Sequence, residues 1–143
     1  MIFPPPLPGQ VIRYSFLWSH EVRSGATEGR KDRPCAIVLA VPRDAHGDTR
    51  VAVVPITHTP PRTVDIAIEL PAAVKTALGL DPEPSWICLD ELNAFSWPGY
   101  DLRPVPGTNN VAYGSLPKEL FEQVRQGVLA LNRARRIRQA NRD

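Results

Sequence analysis

Arg33 stands at an abrupt junction in the chain. Before it lie Arg30, Lys31 and Asp32; after it "PCAIVLAV" runs on without a charge. A guanidinium carries a planar fork of donors that suits phosphate or carboxylate oxygens, and a rigid apolar strand would hold its first side chain still. The plainer reading is an exposed ion pair with Asp32 or Glu28, worth only about 0–1 kcal/mol. Thr57, which closes "TRVAVVPIT", offers a hydroxyl, although threonine also ends strands for reasons of backbone preference alone. His20, His46 and His58 could each exchange a proton near neutral pH. His46 sits in the turn "PRDAHGD" and reads as surface. His58 follows Thr57 directly and should point to the opposite face of a regular strand. Cys35 and Cys88 lie in apolar runs without CxxC spacing and are too few for zinc without two matching histidines, so they read as buried, reduced thiols.

The elements that would position these groups are short. Sixteen prolines in 143 residues argue for many firm turns and against long helical bundles. Residues 1–8 form a proline-rich, extended lead-in. "QVIRYSFLW" predicts a first strand, and residues 19–32, polar and glycine-containing, predict a long loop. "PCAIVLAV" predicts a strand buried on both faces. "TRVAVVPIT" predicts another, with Pro55 pointing to an edge or a bulge. "VDIAIEL" alternates, so Val64, Ile66, Ile68 and Leu70 should share the buried face of a half-solvated strand. "PAAVKTALGLDPEP" predicts a helical turn or covered loop, and residues 85–96 a strand that bends. From Leu116, the spacing of Leu120, Phe121, Val124, Val128 and Leu131 predicts an amphipathic helix, with Pro117 at its start and Gly127 weakening its middle. The sum is mainly β with α: a small barrel or curled sheet under a C-terminal helix.

A chain of this length and composition suits one globular domain. Its net charge of +2 is unevenly placed, because residues 133–143 hold five arginines and the rest is slightly acidic. Bulk charge therefore does not argue for nucleic-acid binding; a local basic cluster would be needed. The Arg-rich tail itself reads as the solvated, frayed end of a helix, where cations suit the dipole. Neither a signal peptide nor an apolar membrane span is apparent, so a cytoplasmic location is expected.

Read together, "PGQVIRYSF", "TEGRKDRPCAIVL", "VVPIT" and "CLDEL", followed by "LPKELFEQVRQGVLAL", resemble the MazF/PemK family over residues 8–131. That resemblance implies an SH3-like β-barrel with a long C-terminal helix, of the kind shared with CcdB. It further implies a sequence-specific, ribosome-independent and metal-independent endoribonuclease toxin that needs no cofactor, acts on single-stranded RNA, forms a homodimer and is neutralised by a cognate antitoxin. The family's catalytic arginine and its strand-ending hydroxyl map onto Arg33 and Thr57, and its acidic residue maps onto Glu28.

The chemistry fits these residue types. Attack by an RNA 2′-hydroxyl builds a crowded, highly charged phosphorane, which a guanidinium and a hydroxyl can stabilise while other groups move protons. Substrate contacts are expected from Arg23, Arg30, Lys31, His20 and His58. Glu91 departs from the family, where a Gln is common, and could repel phosphate or accept from a base. Trp97 and Tyr100 could stack on bases or pack in the core. The alternative is a non-catalytic SH3-like binding protein, such as a CcdB-like topoisomerase inhibitor or a decayed relative. The fold alone would not separate the two.

Overall fold

In a computed structural model describing residues 1–29, 31–43 and 47–143, the protein is mainly β, with eight strands and three helices among the described residues. Arg30 and His46 lie outside them. The strands are β1 (Gln10–Tyr14), β2 (Arg33–Arg43), β3 (Asp48–Thr57), β4 (Ala67–Glu69), β5 (Trp86–Cys88), β6 (Glu91–Ser96), β7 (Ala112–Ser115) and β8 (Arg138–Asn141). The helices are α1 (Ser19–Arg23), α2 (Ala72–Leu78) and α3 (Lys118–Arg133).

The antiparallel β2–β3 hairpin is the spine of one sheet ordered β4-β5-β3-β2-β1-β7. β6 also pairs with β3, and β8 lies parallel to β6. The continuous β-branched runs explain the hairpin's central place, because neighbouring residues enter different apolar clusters. Val11, Ala36, Val54 and Ile56 join Leu120, Val124 and Leu131 beneath α3. Ile12, Cys35, Ile37 and Val53 join Tyr14, Phe16 and Phe95 in a second cluster. Burying each large aliphatic side chain contributes about 1.5–3 kcal/mol, so both faces hold the hairpin where Cys35, Ala36 and Ile37 meet Val53 and Val54; beyond them Leu39 and Val41 are exposed, so the run expected to be buried on both faces is so only in its first half.

Several expectations need correction. Pro55 is not on an edge: β3 is internal, and Pro55 lies between the ladder to β6, which ends at Val53, and the ladder to β5, which begins at Ile56. Its missing N–H falls where β3 changes partners, so no ladder bond is forfeited there. Residues 64–66 form one turn of 3-10 helix, and Val64 is 93% exposed rather than buried; the strand begins only at Ala67. The stretch 85–96 splits into β5 and β6, and the expected loop 19–32 opens with α1.

The tail 133–143 is no frayed helix end. Arg135, at φ 56°, turns the chain out of α3, and residues 138–141 add β8 to the sheet. The left-handed position after a helix usually belongs to glycine, so this sequence lacks the common stop signal. Gly127 also acquires a reason, since a Cβ there would come within 2.5 Å of Leu89 Cδ1. It lets α3 approach the sheet closely. No helix among the described residues is long and apolar enough to cross a membrane.

Candidate functional site

The ladder between β2 and β3 pairs Cys35 with Pro55. The ladder ends there, two residues short of Arg33 and Thr57, and an antiparallel register carried on to them would put both side chains on one face of the sheet. Thr57 is buried and held from its other side by pairing with Trp86. Its Oγ1 accepts the N–H of Thr59 at 3.2 Å, which orients the hydroxyl and leaves its own hydrogen to donate.

The guanidinium carbon of Arg33 lies 5.1 Å from the centre of the Trp18 ring, within cation–π range. Its Nε is buried and has no hydrogen-bond partner. No carboxylate among the described residues pairs with Arg33; the acid nearest in sequence, Asp32, faces Arg103 at 3.8 Å. The thiols beside it do not neutralise it either. Burial pushes Cys35 far above the ordinary thiol range and Cys88 up to about 12, although the Arg33 charge pulls both back. Both cysteines are reduced, Cys35 buried and Cys88 partly so.

Trp18 is fixed from β6. Asn93, fully buried, accepts the Leu17 N–H at Oδ1 (2.9 Å) and donates from Nδ2 to the Leu17 carbonyl (2.8 Å). Glu91, two residues earlier and hence on the same face, accepts from Ser19 N at 2.9 Å and from Ser19 Oγ at 2.6 Å. The residues on either side of Trp18 are thereby pinned to one strand. The Trp18 backbone N–H donates to Glu21 Oε1, closing the first turn of α1. On the other side of the ring's surroundings, Phe16 meets it edge-on and His20 lies roughly parallel at 6.3 Å.

Two grooves meet at Arg33 and Thr57. The first, about 630 Å³, is walled by Trp18, His20, Arg23, Lys31, Arg62 and Arg138 along with the acids Glu21, Asp90 and Glu91. The second, about 400 Å³, adds Arg13, His58, Asp81 and Tyr113. Lys31, Arg33, Thr57 and Thr59 line both. The first groove therefore has the local basic cluster that bulk charge did not reveal, and Glu91's oxygens are turned to Ser19.

Of the residues expected from the sequence, Arg33, Thr57, His20, Arg23, Lys31 and Glu91 come together in the first groove, and His58 lines the second. The His58 ring is held by Asp81 at 3.0 Å. Glu28 is exposed and is not among the residues walling either groove. Arg30 lies outside the described residues. Trp97 packs beside Phe95 at the second apolar cluster and Tyr100 is 93% exposed; neither lines the grooves. The aromatic residue against Arg33 is Trp18, whose only sequence signal was its place at the end of an apolar run, just before the polar stretch. Compared with protein-family models, curated proteins and solved structures, the chain matches none of them.

Proposed function

We propose that the protein is an endoribonuclease of the MazF/PemK kind, cutting single-stranded RNA by attack of a 2′-hydroxyl on the adjacent phosphate. The observation that carries this reading is the state of Arg33: a guanidinium against the Trp18 ring, with a buried, unpartnered Nε, sharing with the Thr57 hydroxyl the place where two grooves meet. A buried donor without a partner costs about 1–3 kcal/mol. An anionic ligand would remove that cost.

In the reaction, the 2′-oxygen bonds to phosphorus as the bond to the 5′-oxygen breaks, giving a cyclic 2′,3′-phosphate and a 5′-hydroxyl. Arg33 donates to the non-bridging oxygens as charge builds on them, and Thr57 adds a second donor. His20, which lines the first groove, is the candidate to accept the 2′ proton in preference to Glu28, which lines neither. The leaving 5′-oxygen takes its proton from solvent water in the open groove, and the hydroxide left behind is neutralised by the proton that His20 took from the 2′-hydroxyl. Arginine is too weak an acid to protonate the 5′-oxygen readily, so its role is electrostatic. In this reading the sheet belongs to the SH3-like barrels, the chain works as a homodimer without metal, and a cognate antitoxin covers the groove.

Mixed-sequence RNA incubated with the protein should yield fragments with cyclic phosphate ends, and Arg33→Ala should slow the reaction by about 10²–10³-fold, as for loss of one preorganised donor. Intact RNA, or cleavage indifferent to Arg33→Ala, overturns the proposal. Intact RNA combined with inhibited gyrase supercoiling would instead support the non-catalytic, CcdB-like alternative.

A further inference from the structure

The second groove carries more positive charge than its residue types suggest, because its acids are already engaged. Asp32 faces Arg103 at 3.8 Å. Asp81 receives the His58 ring at 3.0 Å and the buried Lys75 ammonium at 3.1 Å, and these partners, His58 foremost, hold its carboxyl below the usual range against the opposing pull of burial. Lys31 and Arg33 have no carboxylate partner among the described residues. Among the described residues Arg13 meets only a neutral group, with its Nη1 donating to the Tyr113 hydroxyl at 3.3 Å.

Strand geometry brings these cations around the end of the sheet. Tyr14 faces Arg33 and Arg13 faces Pro34, so the alternation of side chains sends Arg13 and Arg33 to opposite faces. Both nevertheless line the second groove. A single strand that places one phosphate at Arg33 and Thr57 can continue along the same groove toward Arg13.

Resting on the functional reading above, we propose that the second groove is a phosphate subsite for the nucleotide next to the scissile one. Arg13 supplies its charge, with Tyr113 holding the guanidinium in place and Lys31 shared between the two grooves. The partner is the phosphodiester backbone, so the subsite is indifferent to base sequence.

The test is binding of a mixed-sequence 2′-O-methyl oligoribonucleotide, which cannot be cut, measured against salt concentration. Arg13→Gln should bind several-fold more weakly and flatten the log–log salt slope by about 0.7, the value for one single-strand phosphate contact. Arg13→Lys should retain most of the slope. An unchanged slope in Arg13→Gln overturns the subsite while leaving Arg33-dependent cleavage intact. Equal losses in Arg13→Gln and Arg13→Lys also overturn it, since charge would then not be what matters. If the wild-type protein neither binds the probe nor cuts RNA, the functional reading falls too.

Discussion

Two arginines sit on this scaffold in opposite conditions. Arg142 is saturated: it pairs with Asp101 at 2.9 Å and donates to the Ser15 carbonyl at 2.7 Å and Asn93 Oδ1 at 2.9 Å. It also lies over the Tyr14 ring, and its side chain is only 3% exposed. Arg33 is held by one aromatic face and left with a buried N–H unmatched. The first arginine is consumed by the fold, and the second keeps a buried donor that no group among the described residues accepts. Burial alone does not separate structural from functional charge; the balance of donors against acceptors does.

That contrast can be broken experimentally. Arg142→Ala strands Asp101, whose carboxyl burial already pushes up against the pull of Arg142; stability measured by urea unfolding should fall by about 3–5 kcal/mol, as when one partner of a buried pair is removed. Arg33→Ala should do the reverse, with an unfolding midpoint close to wild type and RNA cleavage reduced by about 10²–10³-fold. Equal stability losses in the two variants would erase the distinction.

Gly29→Ala probes the wall between them. A Cβ there would sit 2.1 Å from the Phe16 carbonyl oxygen, an overlap that the backbone must relieve at about 1–3 kcal/mol. Cleavage should fall along with the unfolding midpoint, because Phe16 leads into Trp18.

The smallest effect concerns pH. Asp143, hydrogen-bonded first by Arg50, has its carboxyl lowered. Its contribution is present above the ordinary Asp value of about 4 and is lost as pH falls through the lowered folded value. Asp101, raised by burial, has the opposite sign: its contribution is present below about 4 and lost as pH rises through the folded value. Asp143→Asn should therefore lower stability at neutral pH by less than about 1 kcal/mol, given solvent screening. The gap from wild type should close in acid, read as urea midpoints across a pH series.

The same pair of arginines shows what was legible in the sequence. Arg33 could be found because an apolar run begins right after it and the central hairpin declares itself through β-branched residues. α3 was equally plain from its spacing. Arg142 was hidden, since β8 is polar and takes its place from backbone pairing with β6 and from an ion pair to Asp101. Neither leaves a periodic mark. β7, short and containing Gly114, escaped for a similar reason. Trp18 and Asn93 were invisible as site residues because their roles depend on contacts between residues 17 and 93, far apart in the chain. Val64 misled in the other direction: alternation in "VDIAIEL" implied a buried face, yet the chain turns before the strand begins.

The reach of Arg142 also sets an order of events. It ties residues near 140 to Tyr14, Ser15 and, at 3.5 Å, the Thr27 carbonyl, whereas the β2–β3 hairpin closes between near neighbours in the chain. Contacts of such wide sequence separation cost more loop-closure entropy to form than local ones. A chain still emerging, or one clipped after α3, would own its central hairpin and Arg33 but not the clamp on the wall that carries Trp18. Competence of the groove is thus deferred until the final strand is in place.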